Sequence, residues 1–158
     1  MKSIVPCLWF ADNNCAEALR YYVDVFPDAR IESIAYYPDA SVDEHFEGMD
    51  GKVITAVFWL NGQKFIALDG GPLFRFTEAV SFTVECNDQA EIDYYWDKLS
   101  HEPEAEQCGW VKDRFGLSWQ IVPADIDALL ASPAQMEVFM QMKKIDIAAL
   151  QAAARSQS

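Results

Sequence analysis

Apolar and polar positions alternate along this chain in a way that lays out its elements. Residues 3–10 (SIVPCLWF) form a short apolar run that predicts a first strand, and Pro6 places it at an edge or an irregularity. Asp12-Asn13-Asn14 supplies capping residues, and Glu17 follows Asn14 by three, close to capping-box spacing. Ala18, Leu19, Tyr22, Val25 and Phe26 then recur on one helical face until Pro27-Asp28 ends the helix. Residues 30–37 (RIESIAYY) predict a second strand. Asp39, Asp43, Glu44, Glu47 and Asp50 make the stretch from Pro38 to Gly51 an exposed acidic loop. Residues 52–60 and 63–69 flank Asn61-Gly62, whose tolerance of positive φ suits a tight hairpin. The first part of the chain thus reads β-α-β-β-β.

After Gly70-Gly71-Pro72 the order recurs. Residues 79–86 (AVSFTVEC) predict a strand. Asn87-Asp88 caps a helix, with Ile92, Tyr95, Trp96 and Leu99 on one face. Residues 104–112 read as a strand pair of poor periodicity, and the Asp113-Arg114-Phe115-Gly116 turn leads to a last strand, Leu117 to Val122. An offset of 74 lays Asn13 on Asn87, Ala16-Glu17 on Ala90-Glu91 and Tyr21 on Tyr95, which points to an internal duplication. We therefore expect one domain over 1–158: a module over 1–72, a second over 73–123, and a helical extension over 124–158. In the extension Ser132, Pro133 and Gln135 form a helix start. Met136, Phe139 and Met140 continue as a stripe that packs on the domain or a second subunit, or lines a ligand site.

Composition narrows the partners. The chain has 158 residues, 51% hydrophobic and 23% charged, enough to bury a core. Its 12 basic and 25 acidic residues give a net charge of −13, which repels nucleic acid and anionic membranes, and no basic stripe offsets that field. No apolar run approaches the ~20 residues of a membrane span, and the N-terminus lacks a signal-peptide segment, so a cytoplasmic protein is expected. Cys7, Cys15, Cys86 and Cys108 form no CxxC pair and read as free thiols. Two histidines, His45 and His101, are too few for a histidine-rich metal cage.

Several runs carry a family likeness: Pro6-Cys7-Leu8-Trp9-Phe10, Phe26-Pro27-Asp28-Ala29-Arg30, Ala67-Leu68-Asp69-Gly70-Gly71-Pro72, Phe76 to Phe82, Gln107 to Pro123, and Met142 to Leu150. With the duplicated element order, they make the chain resemble the PhnB-like proteins of the vicinal-oxygen-chelate superfamily, the fold of glyoxalase I and extradiol dioxygenases. Proteins of this kind carry a description naming a demethylubiquinone methyltransferase. The resemblance implies an α+β fold of two βαβββ modules whose sheets curl into a cup, in a homodimer, with a small molecule in the cup. In the superfamily's metal enzymes, ligands come from the first and last strand of each module. The matching positions here are Val5, Ala67, Ala79 and Gln120, and three of these four side chains cannot coordinate a cation. We therefore expect no metal and no other cofactor.

Period-two alternation from those positions places Cys7 and Trp9, Phe65 and Asp69, Ser81 and Thr83, and Ser118 and Val122 in the cup beside Gln120. Each has two readings. Cys7 is a nucleophile if its pKa is lowered, or an inert buried thiol. Asp69 is a general base if burial raises its pKa, or an acceptor of backbone hydrogen bonds before Gly70-Gly71-Pro72. Gln120 and Ser81 orient a ligand or satisfy each other. Trp9, Trp110 and Trp119 stack on a planar substrate or pack the core. Lys112-Asp113-Arg114 reads as a solvated hairpin, with Glu78 near the cup mouth. Beside metal-free binding and a pure interaction module, which a cup filled by side chains would favour, two alternatives remain. One is a metal-dependent lyase, isomerase or dioxygenase with relocated ligands such as Asp69, Gln120 and Glu78. The other is a methyltransferase, although the first turn, Ala11-Asp12-Asn13-Asn14, lacks the glycines that commonly hold its cofactor.

Overall fold

The computed structural model describes residues 2–38 and 41–156; Asp39 and the side chain of His45 lie outside that description. The chain divides into two compact units, Met1–Arg75 and Phe76–Ser158.

The first unit contains β1 (Cys7–Phe10), α1 (Cys15–Val25), β2 (Ala29–Tyr36), β3 (Val53–Leu60) and β4 (Gln63–Asp69), in sheet order β1-β4-β3-β2. β1 runs parallel to β4 and the other pairs are antiparallel. Pro6 stands just before edge strand β1, where its carbonyl accepts from Ile66 N at 2.9 Å and its missing N–H costs the ladder nothing. Leu8 and Phe10, Ala56 and Phe58, and Phe65 and Ala67 are buried on the sheet face packed against α1. The Tyr22 ring stacks on Phe58 and Phe58 on Phe65, with centroids 6.3 and 5.2 Å apart. Each such side chain contributes about 1.5–3 kcal/mol on burial. The Asn61-Gly62 turn has φ of 47° and 84°, and Asn61 Oδ1 accepts from Asp28 N at 3.2 Å.

The second unit contains β5 (Ser81–Cys86), α2 (Gln89–Leu99), β6 (Trp110–Lys112) and β7 (Ser118–Pro123), in sheet order β5-β7-β6. It repeats the first unit's plan: β5 is parallel to β7, and β6 is antiparallel to β7. Both bounds of α1 and α2 obey the 74-residue offset. The fold is α+β, with sheets of four and three strands followed by helices. The expected strand pair over 104–112 is one short strand, so β2 has no counterpart. Pro103 opens a 3₁₀ turn over Pro103–Ala105, and Cys108 and Gly109 break the extended chain with φ of 50° and 85°.

Three helices follow: α3 (Ile126–Leu129), α4 (Pro133–Met140) and α5 (Ile147–Arg155). Ser132 and Gln135 form the expected reciprocal capping box. Val122, Leu129, Ile145 and Leu150 make a buried cluster against which Phe139 packs, whereas Met136 and Met140 are exposed. The Gln89 carboxamide clamps the approach to α5, donating to Ile145 O at 3.0 Å and accepting from Ile147 N at 2.9 Å. Among the described residues, no helix is long and apolar enough to cross a membrane.

Candidate functional site

In the second unit, Phe82, Val84 and Cys86 of β5 share a face with Trp119 and Ile121 of β7, toward α2. The opposite face carries Ser81 and Thr83, then Ser118, Gln120 and Val122, then Trp110 and Lys112 of β6. Pairing aligns Thr83, Gln120 and Trp110 in one row across the three strands. Gln120 Nε2 donates to Ser81 Oγ at 3.0 Å, so these two predicted site residues meet.

This helix-free face floors a cleft of about 550 Å³, lined by Thr83, Gln120, Trp110 and Val122 from the sheet. The rest of its lining is Gln107, Cys108, Ile126, Phe139 and Met140. One wall is tied in place at the Gln107–Gly109 corner. Gln107 Nε2 donates to Met140 O at 2.9 Å, Cys108 N to Met142 O at 2.9 Å, and Gly109 N to Lys143 O at 2.8 Å. A Cβ at Gly109 would lie 2.9 Å from Ile121 O, and that crowding with a positive φ demands glycine there. The lining contains no ionisable carboxylate, lysine, arginine or histidine.

Lys112 is on the same sheet face as Gln120 but pairs with Glu78 and stands 3.9 Å from Glu102. The hydrogen bond with Glu78 holds the Lys112 pKa above the usual lysine range and the Glu78 pKa below the usual carboxylate range. The hairpin beside it is not the solvated charge run expected from its sequence. Asp113 is fully buried, accepting from Phe115 N, Leu117 N and Trp119 Nε1 at 2.8, 3.1 and 2.8 Å. Trp119 is thereby a core residue.

In the first unit, Cys7 and Trp9 do share the helix-free face, beside Ile66 and Leu68. Trp9 is fixed there: its Nε1 donates to Gly71 O at 2.9 Å, its ring meets Phe74 edge-on at 5.0 Å, and a Cβ on Gly70 would collide with its ring. Desolvation raises the Cys7 pKa, the opposite of what a thiolate nucleophile needs.

Phe65 and Asp69 are on the other face, correcting the alternation assigned to β4. Their partners in register are Phe58 and Phe10, both core residues, and one residue of register turns every side chain over. Asp69 is 2% exposed. Its Oδ1 accepts from Cys15 N and its Oδ2 from Val53 N, both at 2.8 Å. It thus anchors the first turn of α1 and the start of β3. Asn14 makes no side-chain cap bond, so the distant Asp69 satisfies a donor at that helix start.

The residues present do not fit the superfamily's divalent metal. Val5 and Ala79 precede β1 and β5, Ala67 is in the core, and the single amide oxygen left, that of Gln120, is a poor ligand by itself. The relocated candidates do no better: each oxygen of the buried Asp69 already accepts a backbone N–H, and Glu78 is bound to Lys112. Among the described residues, no three His, Cys, Asp or Glu side chains converge.

A family model described as 3-demethylubiquinone-9 3-methyltransferase matches residues 2–122. Among solved structures, a PhnB protein from Bacillus cereus is 34% identical at a TM-score of 0.62, over 77% of this chain and 99% of that one. A protein from Pseudomonas aeruginosa is 20% identical at 0.57, over 78% and 98%. The fosfomycin resistance protein FosX from Listeria monocytogenes is 14% identical at 0.50, over 83% and 98%. The last two likenesses concern the fold alone. A search of the curated proteins finds no match. The helices α3–α5 lie beyond the family match. By its matched span and its identity to the PhnB protein, the chain belongs to the 3-demethylubiquinone-9 3-methyltransferase-like (PhnB) family and has the glyoxalase/bleomycin-resistance fold of vicinal-oxygen-chelate proteins.

Proposed function

We propose that this protein binds a small organic molecule against the helix-free face of β5-β7-β6, with no metal between guest and protein. The cleft of about 550 Å³ carries the proposal, since small-molecule sites are concave, mostly apolar and supplied with a few placed polar groups. Trp110 offers a flat apolar surface. Gln120, with Nε2 committed to Ser81, presents its carbonyl oxygen to a donor on the guest, and Thr83 adds a hydroxyl. In the first unit, Cys7 and Trp9 offer a separate apolar surface for ligand contact. We extend the reading to a homodimer, supported by exposed Met136, and to the cytoplasm, supported by four cysteines that are all free thiols. A methyltransferase reading has only the family's description behind it, because neither sheet is of the doubly wound parallel kind that commonly holds S-adenosylmethionine.

Native mass spectrometry of protein purified without detergent tests the proposal. A non-metal guest is expected to copurify. Thr83→Trp, a strand-compatible substitution at an exposed position that fills the cleft, is expected to abolish it. A stoichiometric divalent ion that survives chelation, or a guest indifferent to Thr83→Trp, overturns the reading. Calorimetric titration with S-adenosylmethionine is expected to give no heat of binding; micromolar affinity would restore the methyltransferase.

A further inference from the structure

The cleft owes part of its shape to residues beyond the span that the family model matches. The match ends at residue 122, yet Ile126, Phe139 and Met140 form a wall of the hollow. That wall is not a loose tail. The three hydrogen bonds at Gln107–Gly109 and the Gln89 clamp fix its backbone, and Ile145 and Leu150 are fully buried just beyond it. A held apolar wall pre-organises a site, so less ordering entropy is lost when a guest arrives.

We infer that this C-terminal wall selects the guest, with Phe139 and Met140 as specificity-determining residues for a ring-bearing molecule without negative charge; the inference rests on the binding proposal above. Two observations converge on that class. Together with Trp110 in the lining, Phe139 and Met140 supply an aromatic ring and a polarizable thioether, which favour planar unsaturated guests. An anion, by contrast, finds no cation in the lining. The cation on that sheet face, Lys112, is already paired with Glu78, and the protein's charge of −13 opposes entry.

The test uses two fluorescent probes that differ by one sulfonate: neutral N-phenyl-1-naphthylamine and anionic 8-anilinonaphthalene-1-sulfonate. Full-length protein is expected to bind the neutral probe saturably, and at least about tenfold more tightly than the anion, a difference of about 1.4 kcal/mol. Met140→Lys, at a side chain already 53% exposed and therefore safe for folding, is expected to shrink that ratio severalfold by giving the anion a partner. Phe139→Leu keeps an apolar side chain against the buried cluster but removes the ring, and is expected to weaken the neutral probe severalfold. Thr83→Trp reports on the sheet face independently of the wall. If Thr83→Trp blocks the probe while Met140→Lys leaves the ratio unchanged, the selecting wall is refuted and binding at the sheet face stands. If the anion binds as well as the neutral probe, or neither saturates, the inference is overturned. The binding proposal then stands or falls by the copurified guest.

Discussion

Replacing Asp69 by asparagine separates a structural carboxylate from a chemical one. The two Asp69 oxygens each accept one backbone N–H at 2.8 Å, in a site that is 2% exposed. Hydrogen bonds to a charged acceptor contribute about 1.5–3 kcal/mol each. Asparagine keeps one acceptor and turns an NH₂ donor toward the other amide. One buried N–H then loses its partner, and the surviving bond loses its charge. The expected cost is about 2–4 kcal/mol, a large share of the 5–15 kcal/mol that stabilises a typical domain. With a urea m-value of about 2 kcal/mol/M, the midpoint falls by about 1–2 M at unchanged slope. Amide hydrogen exchange adds a local readout, since the Cys15 and Val53 amides should lose protection beyond the global change. A destabilisation below about 0.5 kcal/mol refutes the reasoning. So does a variant of full stability that has lost its guest, because Asp69 would then act on the ligand and not on α1 and β3.

Three further outcomes are expected. Gly70→Ala drives a methyl into the Trp9 ring, so it should displace the indole, break its bond to Gly71 O and shift its emission, with about 1–3 kcal/mol lost; unchanged fluorescence and stability would refute the close approach. Leu150→Ala should cost about 2–5 kcal/mol by urea denaturation, and a loss below about 1 kcal/mol would mean that α5 is not seated in the second unit's core. The Cys15 and Cys86 thiols are pushed up to about 12 from 9.0, chiefly by burial, then by Asp69 for Cys15 and by Glu91 for Cys86. The unfolded chain therefore ionises them first. Their stability contribution is complete below pH 9.0 and declines toward pH 12, by up to about 1.4 kcal/mol per pH unit per thiol. The Cys15→Ala/Cys86→Ala variant should show a flatter alkaline stability profile, and matching slopes would refute this account.

Much of the scaffold was legible because its signals are local. The stripe Ala18, Leu19, Tyr22, Val25 has no strand-like alternative, and Asn61-Gly62 names its own turn. The 74-residue offset was readable in cap residues and is realised in the helix bounds. The β4 face was not readable: in Gln63–Asp69 an apolar side chain stands at every position from Phe65 to Leu68, so alternation gives no parity, and the polar Asp69 suggested a site. Its true partners, Cys15 N and Val53 N, are 54 and 16 residues away in sequence, beyond any local pattern. Asp113 misled in the same way, since Lys112 and Arg114 beside it mark a surface turn while its own oxygens point inward. For Gln120 and Ser81, period two sufficed, because β5 and β7 each keep one regular face. Cys108 and Gln107 gave no site signal, because a left-handed corner rather than a strand brings them to the cleft.

The Gln89 clamp also bears on the order in which the protein is made. A nascent chain that has emerged only as far as Pro123 already holds α2 and every strand of the second sheet, yet Gln89 lacks both its backbone partners and Val122 lacks the cluster that buries it. All of the first unit's strands and its helix lie before residue 75, whereas the second unit's buried cluster includes residues translated some 25 positions after its last strand. Two units of similar plan thus mature on different schedules, and premature termination should harm the later one.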